Sequence, residues 1–174
     1  MDIDADIEKR VSLFKFIRDI PYKIALNSEE QDYCCSTKSL MLASLLEREG
    51  LQTRQIICDF NWVDMPLPEA VLSLPYMVEE TTHQFLQVLI PETEDWINCD
   101  PTWDSGMKKC GFEISKWDGL HNTRLAVVPT RIYSPQESLD LIESFKNEGF
   151  ITRHMAYHHV FYQAINDWLR ASRS

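Results

Sequence analysis

Three side chains in the first hundred residues have the types that nucleophilic catalysis requires: Cys35, His83 and Asp100. A thiol attacks a carbonyl carbon as the thiolate, so it needs a base to take its proton. The base in turn needs a group that holds it in one orientation. A cysteine, a histidine and an aspartate in this order therefore predict acyl transfer, provided that the fold brings them together.

An apolar helix is predicted immediately after Cys35. From Leu40 to Leu46 only Ser44 is polar, so we expect this helix to be apolar nearly all round and to lie inside the domain. Gly50 suits a left-handed cap at its C-terminal end. The thiol then lies in or just before the first helical turn. Free backbone N–H groups and the helix dipole favour a thiolate there.

A β-hairpin is predicted to bring Asp100 beside His83. Residues 83–90 form a short apolar run that opens with the histidine and ends before Pro91, and residues 95–100 follow after a polar turn. Two strands joined in this way pair antiparallel, so the end of the second returns to the start of the first. The general base and its orienting carboxylate are therefore expected to be neighbours.

The order and spacing of these elements resemble the transglutaminase-like superfamily over about residues 15 to 104. The residues that carry the resemblance are Cys35-Ser36-Thr37-Lys38 at a helix start, Gly50 and Thr53-Arg54 after the helix, His83 opening a strand and Asp100-Pro101-Thr102 ending the next. The resemblance implies that Cys35 is the nucleophile, His83 the base and Asp100 the orienter, with no cofactor. It also selects Cys35 over the adjacent Cys34, because Lys38 lies three positions after Cys35.

The predicted fold is a single α+β domain over residues 1–174 with a papain-like core. The resemblance supports this as much as the periodicity does. An antiparallel sheet is expected to pack on the buried helix that carries Cys35, with strands near 51–60, 83–90, 95–100 and 124–128. The predicted helices besides that one are 5–19, a short helix near 69–74, a helix that begins with a capping box at Ser134, and 152–172. The last two form a C-terminal helical addition over about 134–172.

The oxyanion of a thioester-forming reaction needs preorganised hydrogen-bond donors. The backbone N–H of Cys35 is the first candidate. The loop before the helix offers Gln31 and Asn27 as candidates for the second donor.

The overall charge bears on the partners. A formal net charge of −10 argues against nonspecific binding to nucleic acid or to an anionic membrane, and it would suit a cationic substrate. No apolar run is long enough to span a membrane, and the charged N-terminus lacks the layout of a signal peptide. We therefore expect a cytoplasmic protein. Its five cysteines are an odd number, which favours reduced thiols.

Two alternative sites have weaker patterns. His154 and His158 share a helical face with the spacing of metal ligands, and His159 follows them, but no glutamate stands between them as in zinc proteases. A place on a helix surface or interface is the preferred interpretation, and no metal is expected. Adjacent Cys34 and Cys35 could form a disulfide only with strained geometry.

The predicted function is that of a cysteine hydrolase, a peptidase or amidase that acts on a peptide or amide substrate through a thioester. Two alternatives stay open. One is an amine acyltransferase that crosslinks proteins. The other is a noncatalytic protein-binding domain on the same fold, in which residues 61–82 and the C-terminal helix form the contact surface.

Overall fold

The computed structural model describes residues 3–146 and 148–173, with the side chains of residues 148–151 outside the description. The helices are α1 (Ile3–Arg18), α2 (Cys35–Arg48), α3 (Glu69–Leu72), α4 (Pro135–Phe145), α5 (Glu148–Tyr157) and α6 (His159–Arg173). The strands are β1 (Gln52–Asn61), β2 (Glu80–Ile90), β3 (Asp95–Cys99) and β4 (Arg131–Ile132). Short 3₁₀ helices cover Trp62–Asp64 and Ser105–Cys110. The predicted α+β class is confirmed.

The four strands form one antiparallel sheet in the order β3-β2-β1-β4. In the β2–β3 hairpin Leu86 lies opposite Cys99, and between β1 and β2 Cys58 lies opposite His83. β2 begins at Glu80, so His83 lies inside this strand and does not open it as predicted. Pairing with β1 continues to Asn61, opposite Glu80, which gives the three residues before His83 a ladder partner.

Helix α2 begins at Cys35, in agreement with the sequence pattern. Gly50 follows the helix with a φ of 85°, which confirms the predicted left-handed cap. The prediction that the helix is buried all round is wrong. Leu42 and Leu46 are fully buried against the sheet and α1, whereas Leu40 is 54% exposed. α2 therefore covers one face of the sheet and turns its other side to the outside.

Apolar side chains cover both faces of the sheet. On the face toward α1 and α2, the buried residues include Phe14, Ile17, Leu42, Leu46, Leu86, Val88, Ile90 and Ile97. On the opposite face they include Ile56, Cys58, Phe60, Phe85, Trp103, Phe161, Ile165 and Leu169. The last three belong to α6, so the C-terminal helix packs on the core.

The strand predicted at 124–128 does not form, and the fourth strand is β4 instead. The backbone of the 124–128 segment makes its hydrogen bonds elsewhere. The N–H of Ala126 donates to the carboxylate of Asp100 at 2.7 Å, and its carbonyl accepts from the indole of Trp103 at 2.7 Å. A segment whose polar groups bind side chains in this way cannot also pair in a sheet ladder.

The C-terminal region contains three helices where the sequence predicted two. The predicted capping box is confirmed at the start of α4. The hydroxyl of Ser134 accepts from the N–H of Glu137, and the Glu137 carboxylate accepts from the N–H of Ser134. Further along α4, the hydroxyl of Ser138 accepts a hydrogen bond of 3.0 Å from the N–H of Ile57 in β1. The single helix predicted at 152–172 is divided between α5 and α6 at His158.

Within the described residues, no helix combines the length and the hydrophobicity that crossing a membrane requires.

Candidate active site

The structure brings His83 and Asp100 together in the interior. Nε2 of His83 and Oδ2 of Asp100 are 2.8 Å apart, and the side chains are 2% and 0% exposed. Strand β2 carries the histidine, and the aspartate follows directly after β3. Because antiparallel pairing places the end of β3 beside the middle of β2, the hairpin itself positions the two side chains.

Hydrogen bonds fix the carboxylate of Asp100. Its Oδ1 accepts from the N–H of Thr102 at 3.1 Å, and its Oδ2 accepts from the N–H of Ala126 at 2.7 Å as well as from His83. Burial opposes ionisation, but the charge of His83 and these hydrogen bonds hold the pKa of Asp100 below its ordinary value. An ionised carboxylate can only accept, so Nε2 of His83 carries the proton. Nδ1 is then the nitrogen that can act as a base.

The imidazole ring of His83 is enclosed by aromatic side chains. Its centroid lies 6.2 Å from that of Phe60, edge to face, and 6.3 Å from that of Phe85, nearly parallel. Two large neighbours on the same face of the sheet limit rotation of the ring. Packing and the Asp100 hydrogen bond therefore both restrict His83 to one orientation.

Cys35 lies at the mouth of a cleft of about 510 Å³. The cleft is bounded by the start of α2, the adjoining ends of β1 and β2, and residues of α4 and α5. Its lining comprises Cys34, Cys35, Ser36, Ile57, Asp59, Glu80, Thr81, Thr82, Gln84, Phe145, His154 and Met155. In the chain, His83 lies between two of these residues, Thr82 and Gln84.

The thiol of Cys35 is linked to the His83–Asp100 pair through the charge of Asp100. The hydrogen bond with Cys34 and burial raise the pKa of this thiol most, the backbone of Gln84 lowers it, and the charge of Asp100 adds a smaller rise. In the part of the chain that the structure describes, no hydrogen bond joins the thiol to His83. Contacts between a nucleophile and its base are often long in ligand-free enzymes and shorten when substrate binds.

Cys34 changes the electrostatics that the sequence predicts for Cys35. A hydrogen bond between the two thiols raises the pKa of Cys35, and burial adds to this, while the same hydrogen bond lowers the pKa of Cys34. Cys34 also contacts the hydroxyl of Ser36, at 3.0 Å. Cys34 therefore competes with Cys35 for the negative charge at this helix start. The sequence pattern predicted a thiolate at Cys35 from the helix start alone and did not include the effect of the adjacent Cys34 thiol.

The structure does not bring the predicted oxyanion donors to the cleft. Asn27 is exposed, and its amide donates to Glu30 at 2.9 Å while its carbonyl accepts from the N–H of Glu29. Gln31 is exposed too, and neither side chain is among the lining residues. This loop makes its hydrogen bonds within itself, which keeps Asn27 away from the thiol.

A buried tyrosine that the sequence analysis missed contacts a residue of the cleft lining. The hydroxyl of Tyr162 in α6 and Nε2 of His154, a lining residue, are 2.8 Å apart. Burial raises the pKa of Tyr162, a hydrogen bond with Thr81 opposes this, and the charges of Cys35 and Cys34 add to the rise, so the hydroxyl stays protonated. No local motif marks this residue, because it stands beside the apolar stripe of α6.

His154 and His158 bond to groups of the protein. Nδ1 of His158 contacts the carbonyl of Tyr76 at 2.5 Å, and His154 contacts Tyr162. Among the residues described, no cluster of three or more side chains could hold a metal ion. These histidines thus connect α5 to its neighbours.

In comparisons with known proteins, the chain matches no family model, no curated protein and no solved structure.

Proposed function

We propose that this chain is a thiol-dependent acyl-transfer enzyme of the transglutaminase-like kind, and that it acts as a cysteine hydrolase on peptide or amide substrates. One observation supports this most strongly. A His83–Asp100 pair is buried beside a cleft that a helix-start thiol lines, and the chain contributes two backbone N–H groups to hold the carboxylate. Burying an ionised carboxylate is costly, and its hydrogen bond with Nε2 of His83 leaves Nδ1 able to take a proton.

The reaction begins with proton transfer from Cys35 to Nδ1 of His83. The thiolate sulfur attacks the substrate carbonyl carbon, and the C=O electron pair moves onto oxygen. When the tetrahedral oxyanion collapses, the C–N bond breaks, a thioester forms and His83 gives its proton to the departing amine. Water, deprotonated by His83, then cleaves the thioester and returns the thiol. An amine in place of water would make the enzyme an acyltransferase.

The oxyanion is assigned two donors. The backbone N–H of Cys35 at the first position of α2 is free of intrahelical bonding by the geometry of a helix start. The hydroxyl of Tyr162 is the second donor, because it is protonated and lies next to a residue of the cleft lining. One such donor contributes roughly 3 to 4 kcal/mol to transition-state stabilisation.

Two carboxylates on the cleft wall favour a positively charged group on the substrate. Asp59 and Glu80 both line the cleft, and Glu80 is exposed. The net charge of −10 acts in the same direction over a longer range.

The proposal is tested by labelling with iodoacetamide across about pH 6 to 9, with the modified cysteine located by mass spectrometry. We expect His83→Ala to slow labelling of Cys35 at least about tenfold, because the base that takes its proton is lost. His121→Ala is the matched control, since His121 also contacts an aspartate but is exposed.

Equal labelling of Cys35 in the native protein and in His83→Ala would overturn the proposal. The noncatalytic protein-binding domain would then be the better explanation. If His83→Ala and His121→Ala slowed the labelling of Cys35 equally, this would also count against the proposal, because the effect would not be specific to the buried His83–Asp100 pair.

A further inference from the structure

A lysine lies in the interior next to the proposed site. Lys38 is in α2, three residues after Cys35, and is 0% exposed. Its Nζ donates to the carbonyls of Arg18 at 2.7 Å, Ile20 at 2.8 Å and Thr102 at 2.8 Å. An ammonium group has three N–H donors, and each of them has a carbonyl here.

These three carbonyls come from two separate parts of the chain. Arg18 is the last residue of α1 and Ile20 follows it, so a cation at this point satisfies carbonyls that a helix end leaves without partners. Thr102 belongs to the turn after β3. Lys38 therefore connects the end of α1, the first turns of α2 and the turn that contains Asp100.

Thr102 links Lys38 to the carboxylate of Asp100 through its backbone N–H and its carbonyl. The N–H of Thr102 donates to Oδ1 of Asp100 at 3.1 Å, while the carbonyl of Thr102 accepts from Lys38. Thr102 is thus held from both sides. Any movement of α2 relative to this turn would have to break one of these hydrogen bonds.

The charges that face Lys38 come from every element packed around it. Burial lowers the pKa of Lys38 to about 7. The carboxylates of Asp104, Asp100 and Asp19 oppose this and raise the pKa, whereas the charge of Arg173 lowers it further. A neutral amine has only two N–H donors. Loss of the proton therefore leaves one of the three carbonyls without its hydrogen bond.

We propose that Lys38 is a positioning residue for the reaction, which locks the helix that carries Cys35 to the turn that carries Asp100. This inference rests on the proposed function. It explains the Cys-x-x-Lys spacing. Lys38 lies about one helical turn after Cys35, and it fixes the position of Cys35 relative to His83 and Asp100.

The test compares two substitutions in the full chain. Lys38→Met has similar length and no donors, and Lys38→Gln keeps two N–H donors without a charge. For each variant at position 38, the rate at which iodoacetamide labels Cys35 is measured twice, once with His83 present and once with His83→Ala. The readout is the ratio of the first rate to the second. We expect Lys38→Met to lower this ratio from its native value of at least about ten toward one, with Lys38→Gln between the two.

The pH dependence of the same ratio separates positioning from general stability. As the pH rises through about 7, where Lys38 loses its proton, the ratio should fall more steeply in the native protein than in Lys38→Gln. Leu42→Val is the control, because Leu42 is buried in the same helix and contacts neither Thr102 nor Asp100 by hydrogen bond. It should lower stability and leave the ratio unchanged.

Each outcome has one meaning. A folded Lys38→Met protein with the native ratio overturns the inference and leaves the proposed function intact. A ratio of one in the native protein overturns the proposed function, and the inference with it. If Lys38→Met does not fold, a native ratio that falls through about pH 7 no more steeply than the Lys38→Gln ratio, or a Lys38→Gln ratio equal to the native one, overturns the inference.

Discussion

The molecule contains two histidine–aspartate contacts of the same length in different surroundings. His83 and Asp100 are 2.8 Å apart, and so are His121 and Asp118. In the first pair the side chains are 2% and 0% exposed, and in the second they are 79% and 59% exposed. The first pair joins two strands of the sheet, whereas the second lies within one turn of chain.

The difference shows that distance alone does not define a site. Water screens the exposed pair, and such pairs contribute about 0 to 1 kcal/mol. The buried pair interacts in a medium of lower polarity, and backbone N–H groups from Thr102 and Ala126 hold its carboxylate in place. The buried contact can therefore fix the tautomer of its histidine, while the exposed one mainly closes a turn.

The largest expected effect comes from breaking the buried pair. Asp100→Asn should lower the free energy of unfolding by about 3 to 5 kcal/mol, because it removes a buried carboxylate that accepts from His83 and from two backbone N–H groups. Asp118→Asn should change it by less than about 1 kcal/mol. Urea unfolding followed by tryptophan fluorescence measures both. Equal losses in the two variants would contradict the distinction between the pairs.

A smaller effect is expected from the second thiol. Cys34→Ala removes the hydrogen bond that is the main cause of the raised pKa of Cys35. The pKa of Cys35 should then fall, and its labelling by iodoacetamide near neutral pH should rise about tenfold. Cys110→Ala is the control, since Cys110 is also a free, half-buried cysteine outside the cleft lining. No change, or slower labelling, in Cys34→Ala would show that Cys34 does not restrain its neighbour.

The smallest expected effect is the loss at low pH of the stability that the exposed His121–Asp118 pair provides. Backbone hydrogen bonds from His121, and further ones from Leu120, lower the pKa of Asp118 to about 2. Because this is below the value of an unfolded aspartate, the stability it provides is complete above about pH 4 and disappears as the pH falls toward 2.

We expect this acid-dependent difference between the native protein and Asp118→Asn to be at most about 1 kcal/mol. It should shrink in about 1 M salt, which screens exposed charges. Urea unfolding at a series of pH values measures it. A difference that salt leaves unchanged would mean that this pair is shielded from solvent.

The features that the sequence predicts correctly depend on neighbours in the chain. A capping box at Ser134, a left-handed residue at Gly50 and a helix start at Cys35 are determined within a few residues. The meeting of His83 with Asp100 needs only a hairpin, which is the shortest route between two strands. Periodicity and local signals contain this information.

The features that the sequence did not predict depend on distant partners. Residues 124–128 have the composition of a strand, but Asp100 and Trp103 bind the backbone of Ala126. Tyr162 contacts His154, a residue of the cleft lining, because α6 packs across the opposite face of the sheet. The lowered pKa of Cys34 depends on the mutual orientation of two adjacent thiols, which residue types alone do not fix.

The contact between Ser138 and Ile57 affects how the protein behaves at high concentration. β4 pairs with β1 only at Cys58 and Asp59, so most of that border of the sheet has no strand beside it. A free ladder N–H there could recruit a strand from another molecule. The fully buried hydroxyl of Ser138 takes the N–H of Ile57, and α4 lies along the strand. We therefore expect helix α4 to hinder pairing of this border with a strand of another molecule.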